Sequence, residues 1–106
     1  MKLSVDCYGA TKAFPRDEAF GMTSQIRRAS VSIAANIAEG YGRETTQSFI
    51  HFLRISQGSQ KELDTHIILS ERIGLITSEA TAPLISDIES VGRMLRNLIR
   101  SLEAKL

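Results

Sequence analysis

The sequence predicts an all-α protein, an antiparallel up-and-down four-helix bundle whose first helix is shortened. Apolar residues recur at helical spacing along most of the chain, and no strand-like alternation persists beyond a few residues. Short breaks containing Gly or Pro divide the chain into four amphipathic segments joined by short turns. Because 106 residues are enough for one domain, residues 1–106 are predicted to form a single bundle.

The first predicted helix is the stretch MKLSVDCYGATKAF, which ends before Pro15. A residue that precedes proline is disfavoured in a helix, so Phe14 marks its end. At 1.5 Å per residue the apolar face of this helix, from Leu3 to Phe14, is about 17 Å long, whereas the third and fourth helices are each about 40 Å. Half of each longer helix should therefore lack a fourth partner. Either another chain covers that surface, or the natural protein starts upstream of Met1, or both.

The second helix is predicted from about Gly21 to Glu39, and Gly40-Tyr41-Gly42 should end it, because glycine adopts the left-handed conformation that closes a helix. We expect this helix to be covered on two sides, since it carries two apolar stripes. The main stripe is Met22, Ile26, Ala29, Ile33 and Ile37, and the second is Val31, Ala35 and Ala38.

The third helix is predicted from about Thr45 to Ile73, with Thr45 or Thr46 as its cap and Gly74 as its end. Gly58 lies in its middle. A glycine there costs about 1 kcal/mol relative to Ala, so the close approach of another helix is the expected compensation.

The fourth helix is predicted from about Ser78 to Lys105 by an unbroken apolar seam. Pro83 either kinks its first turns or is itself the first helical residue. The seam residues are Leu84, Ile88, Val91, Leu95, Leu98 and Leu102.

Composition places the chain among cytoplasmic proteins with no role in a membrane. The net charge of +1 exerts no general attraction on nucleic acid, so any such role must depend on a local patch. The single Cys7 fits a reducing compartment. No apolar run approaches the roughly 18 residues of a membrane-spanning helix, and the N-terminus lacks the pattern of a signal peptide.

Arginine residues provide two candidate patches for nucleic acid. Arg93, Arg96 and Arg100 step along the fourth helix away from its apolar seam. Arg27, Arg28 and Arg43 are predicted to form a second cluster around the second helix. A face of this kind is usually only solvated charge, but several phosphate contacts repeated in an oligomer would add up.

Four polar residues of the second and third helices are predicted to form a buried polar layer that fixes their register. They are Asn36, Glu39, Ser59 and Glu62. Glu39 lies in the last turn, where the helix dipole disfavours an anion, so it needs a donor such as Arg43 or an arginine of another helix. The alternatives are surface exposure and a ligand or catalytic pair.

No arrangement of residues predicts catalysis, a metal or a cofactor. The only histidines are His51 and His66, and the pair Glu62–His66 is not repeated as it would be in a di-iron bundle. Cys7 has no histidine near it in sequence, so an unreactive core thiol is expected.

Several stretches resemble one family closely. They are TKAFP, GMTSQIRRASVSIAANIAEGYGR, FIHFLRISQGSQKELDTHI and RIGLI, all within residues 8–76. The chain is similar to the four-helix-bundle proteins encoded in intervening sequences of bacterial 23S ribosomal RNA genes, the S23 proteins. Members usually carry additional residues at the start of the first helix, and many have proline in place of Ala34.

The resemblance implies an antiparallel four-helix bundle that assembles as a homopentamer. It also implies kinship with the accessory variability determinant of diversity-generating retroelements, which binds nucleic acid and a reverse transcriptase. We therefore expect a non-enzymatic oligomer that binds structured RNA or an RNA-processing protein. The alternative is a structural or protein-interaction scaffold with no nucleic-acid role.

Overall fold

The computed structural model describes residues 1–18 and 20–106, and it confirms the all-α bundle. Neighbouring helices pack in the ring α1–α2–α3–α4–α1, as an up-and-down bundle requires. No described residue lies in a strand, and no helix of the described part is both long and apolar enough to cross a bilayer. The helices are α1 (Lys2–Thr11), α2 (Met22–Tyr41), α3 (Thr46–Arg72) and α4 (Ser78–Glu103).

Local capping explains where α3 begins and ends, and it confirms Gly74 as the end of this helix. The Thr45 hydroxyl accepts a hydrogen bond from the Ser48 backbone N–H at 3.1 Å. Gly74 has φ 84°, which favours glycine. The N–H groups of Gly74 and Leu75 donate to carbonyl oxygens of the last helical turn, at 3.1 and 2.9 Å.

The predicted end of α2 within Gly40-Tyr41-Gly42 is confirmed, since the helix ends at Tyr41, but the prediction that a left-handed glycine closes it is wrong. Gly42 follows the helix with φ −79°, so neither glycine adopts the left-handed conformation. Gly40 is buried where α2 meets α3, and a Cβ added there would lie 2.8 Å from the Cβ of Phe52. Close packing, and not chain reversal, explains this glycine.

Pro83 lies inside α4, so the alternative that it is the first helical residue is wrong. The helix begins at Ser78, and the Thr77 hydroxyl caps it by accepting a hydrogen bond from the Ala80 N–H at 3.2 Å. Pro83 has no N–H to donate to the preceding turn.

The core consists of two clusters, and the short α1 reaches only one of them. The first cluster contains residues of all four helices, among them Leu3, Cys7, Ile26, Leu63 and Ile88. The second cluster contains residues of α2, α3 and α4 alone: Ile50, Leu53, Leu95, Ile99 and Leu102, with Ile37, Phe49, Val91 and Leu98 packed against them. The predicted lack of a fourth partner is confirmed at this end.

Two surfaces of apolar or small residues, which the sequence predicts to be covered, are open in the single chain. Val31, Ala35 and Ala38 of α2 are exposed, so only the main stripe of this helix faces the core. Gly58 on α3 is also exposed, and no described atom lies within 4 Å of a Cβ added to it. Within the described residues, no second helix makes the expected close approach to Gly58.

Candidate nucleic-acid interface

The arginine strip, which consists of Arg93, Arg96 and Arg100, lies on the outer face of α4. Because Leu95 and Ile99 are buried, the arginines between and around them point away from the core. Arg93, Arg96 and Arg100 are all exposed, and none of them forms an ion pair within the described residues. The last arginine follows the first by seven positions, so the arginine strip is about 10 Å long.

The arginine strip borders a groove of about 520 Å³ between α3 and α4. Lys61 and Gln57 of α3 face Arg93 and Arg96 of α4 across it. The structure therefore places a lysine of α3 and two arginines of α4 in the lining of one groove. Sequence reasoning missed this contribution, because the register of α3 against α4 depends on tertiary packing and not on the spacing within either helix.

Gly92 shapes the floor of this groove. A Cβ at this position would lie 2.8 Å from the amide nitrogen of Gln60. Without that Cβ, the Gln60 side chain lies across α4 and its Nε2 donates to the Ile88 carbonyl oxygen at 3.3 Å. In the sequence, the glycine within the fourth helix was the available indication of a close contact here.

One end of the groove is acidic. Asp64 and Glu89 line it on opposite helices, and the buried Oδ1 of Asp64 has no hydrogen-bond partner among the described residues. Desolvation by burial, and then the nearby Glu89, raise the pKa of the Asp64 carboxyl. The groove thus changes from negative to positive along its length.

The structure does not bring Arg27, Arg28 and Arg43 together as one cluster. Arg43 follows Arg28 by fifteen positions, most of them in α2, which corresponds to about 22 Å. Arg27 joins α1 to α2, because its Nε donates to the Thr11 hydroxyl at 2.9 Å and its guanidinium lies 4.5 Å from the Tyr8 ring centroid.

Arg43 and Arg28 contact different residues and lie on different parts of the surface. Arg43 forms an ion pair with Glu39 and lies 4.8 Å from the ring centroid of Phe52. Arg28 is exposed and lines a separate groove between α2 and α3, together with Glu62.

The polar layer between α2 and α3 is smaller than predicted and includes a residue that sequence reasoning missed. Asn36 donates to the Ser32 carbonyl oxygen at 2.9 Å and to the Ser32 hydroxyl at 3.1 Å. The Ser32 and Ser59 hydroxyls are 2.8 Å apart. Glu39 and Glu62 are exposed instead, which spares both carboxylates the cost of desolvation within this chain.

Cys7 is fully buried in the first core cluster. Its burial, and to a lesser degree the charge of Asp6, raise the pKa of the thiol to about 11. The thiol is therefore protonated at neutral pH and a poor nucleophile. Within the described residues, no three or more His, Cys, Asp or Glu side chains lie together where they could hold a metal ion.

Fold and surface together define a small helical-bundle protein with a basic strip on its last helix and open apolar faces. The chain belongs to the family described as 23S rRNA-intervening sequence protein, whose model matches residues 1–97. This confirms the family resemblance drawn from the sequence motifs.

The chain is also similar to a crystal structure of a protein with unknown function from the S23 ribosomal protein family of Bacteroides thetaiotaomicron VPI-5482. The two are 27% identical, the match covers 91% of this chain and 87% of that one, and the TM-score is 0.80. The comparison with curated proteins gives no match.

Proposed function

We propose that this protein is a non-enzymatic, cytoplasmic homo-oligomer that binds structured RNA through its basic surface. The observation that carries this proposal is the strip of Arg93, Arg96 and Arg100, whose guanidinium groups are exposed and without ion-pair partners in the described chain. Guanidinium groups contact phosphate oxygens with two parallel hydrogen bonds. The family description supports it, as does the kinship with the accessory variability determinant that the sequence resemblance implies.

The proposed oligomer is a pentamer, and the two open faces of the chain suit it. A ring with an odd number of subunits joins two different surfaces at each interface. Val31, Ala35 and Ala38 offer one surface on α2, and Ile55 and Gly58 offer another on α3. In such a ring the arginine strip occurs five times, and the repetition raises the avidity for a polyanion.

The proposal is tested by fluorescence anisotropy with a labelled stem-loop of 23S ribosomal RNA at several salt concentrations. Binding should weaken steeply with salt. In the triple variant Arg93→Ala, Arg96→Ala, Arg100→Ala, the slope of log affinity against log salt should fall by roughly three, about one for each arginine that no longer neutralises a phosphate.

The control for this titration removes three cations from other surfaces, in the variant Lys12→Ala, Arg16→Ala, Arg72→Ala. All three are exposed. Arg72 lies at the end of α3, eleven residues beyond Lys61 and therefore about 16 Å from that part of the groove along the bundle. This variant should keep the slope of the natural protein. Absence of RNA binding even at low salt would overturn the proposed function.

A second candidate function, a protein-interaction scaffold without nucleic acid, is favoured by an apolar patch near the end of α3. Ile68, Leu69 and Ile73 are 37%, 44% and 55% exposed there. Apolar patches of this kind are typical of protein contacts. The scaffold function predicts that the RNA titration fails, and that Leu69→Glu abolishes the copurification of a protein partner while Arg96→Ala does not.

A further inference from the structure

We propose that the phosphate backbone of the RNA lies in the groove between α3 and α4, where Lys61 and Gln57 contact it together with Arg93 and Arg96. This inference rests on the proposed RNA-binding function and deepens it, because it assigns a second helix and two further residues to the site. It also assigns a boundary to the site, the acidic end formed by Asp64 and Glu89.

The convergence of charge supports the groove as the binding position. Lys61 comes from α3 and the two arginines from α4, and the same groove brings all three cations together. Lys61 is exposed and forms no ion pair within the described residues, so its ammonium group is available to an anion. Three cations on two sides of a groove hold a phosphate more firmly than a single row on a convex helix face.

Neutral donors complete the lining. Gln57 is half-buried and lines the groove with Arg96. Its side-chain amide can donate a hydrogen bond to a phosphate oxygen and carries no charge. Gln60 is already committed to the Ile88 carbonyl oxygen, so it holds the groove floor and leaves the contact with RNA to Gln57. Such a lining recognises the backbone by shape and charge, as proteins commonly recognise helical RNA.

The acidic end gives the site a direction. Along α4, Glu89 precedes Arg93 by one helical turn, and Asp64 lies opposite it on α3. Two carboxylates disfavour phosphate at this end, whereas Arg100 continues the positive surface beyond the other end. The RNA backbone should therefore leave the groove toward Arg100 and the second core cluster. Removing the charge of Glu89 should make the acidic end more favourable to phosphate.

The experiment measures the affinity of single variants for the same labelled stem-loop at low and moderate salt. Lys61→Ala and Arg96→Ala should each weaken binding roughly tenfold and lower the salt slope by about one. Lys12→Ala is its matched control, because Lys12 is an exposed cation outside the groove, and it should leave the affinity unchanged.

Glu89→Gln should strengthen binding severalfold, a gain that misfolding cannot mimic. Glu62→Gln is its matched control, because Glu62 is an exposed acid on the α2 side of α3 and lines the groove of Arg28 instead. A gain in Glu62→Gln and none in Glu89→Gln would place the RNA in the α2–α3 groove and overturn the inference.

Failure of this inference and failure of the proposed function give different results. If the natural protein binds RNA but Lys61→Ala behaves like Lys12→Ala, the α3–α4 groove is excluded and the proposed function stands. If the natural protein does not bind RNA at any salt concentration, both are overturned. Circular dichroism of each variant distinguishes weaker RNA binding by a folded chain from unfolding of the chain.

Discussion

Gly40 shows how strongly the contact between α2 and α3 depends on one absent methyl group. A Cβ there would meet the Phe52 Cβ at 2.8 Å and the Phe49 ring at 3.0 Å. The Cβ of Phe52 is fixed to the α3 backbone, so a change of rotamer cannot move it away. The two helices would have to separate, and dense cores resist such a shift.

We predict that Gly40→Ala lowers the free energy of unfolding by about 2 kcal/mol, the usual cost of overpacking, despite the higher helix propensity of Ala. Urea unfolding followed by circular dichroism measures the change. Gly9→Ala is the matched control: it is also a helical glycine, but no described atom lies within 4 Å of its added Cβ. It should raise the free energy of unfolding by about 0.5–1 kcal/mol. A higher free energy of unfolding in both variants would contradict the close contact between α2 and α3 at Gly40.

At single residues, sequence reasoning succeeded where the cause is local and failed where the cause is a contact between helices. Gly74 ends α3 through its own φ and the carbonyl oxygens of the preceding turn, all within a few residues. Gly40 resembles it in sequence, but its role depends on Phe52 in another helix. Ser32 was missed for the same reason, since its partner Ser59 belongs to α3.

The boundaries of the second, third and fourth helices were predictable to within about two residues. Thr45 and Thr77 cap α3 and α4 with their own hydroxyls, so the sequence contains both starts. The side-by-side register of these helices was not predictable, because it follows from how Gly92 and Gln60 fit together. That register brings Lys61 close to the arginine strip. The α3 side of the proposed groove could therefore not be predicted from the spacing of residues within one helix.

The outer face of α3 presents a test of the proposed subunit contact, because no helix of the described chain packs closely on Gly58. In an isolated chain Gly58→Ala should be stabilising by up to about 1 kcal/mol. In the proposed pentamer a helix of the next subunit approaches this glycine, and the added methyl group should weaken assembly.

We predict that Gly58→Ala shifts the protein toward monomer on dilution, which sedimentation velocity measures across a concentration series. Gly9→Ala, on α1 and outside the proposed contact, should leave the assembly unchanged. If Gly58→Ala merely raises thermal stability and keeps the mass distribution of the natural protein, α3 does not form the subunit contact.

The shape of the whole molecule makes self-association physically reasonable. The molecule measures 46 × 23 × 18 Å, yet α1 has only 10 residues and reaches only the first core cluster. A chain of this size buries a smaller share of its surface than larger domains do. Val31 and Ile55 remain 44% and 40% exposed, so association would bury apolar surface that the fold leaves open.

A cyclic pentamer makes a sharper prediction than a mass alone. Light scattering should give five times the 11.7 kDa of one chain for the natural protein. Val31→Glu on α2 and Ile55→Glu on α3 should each give monomers, because each places a charge in one half of the interface. Ser90→Glu, an exposed polar position on α4, is the control and should remain assembled.

Mixing the two monomeric variants then tests how the interface is built. The Val31→Glu chain keeps an intact α3 face and the Ile55→Glu chain an intact α2 face, so one good interface can form between them. The mixture should therefore contain dimers of one chain of each kind and nothing larger, as expected when two different surfaces meet. If each interface paired the same face of both subunits, the mixture would not form these dimers. Monomers for the natural protein itself would overturn the oligomer proposal.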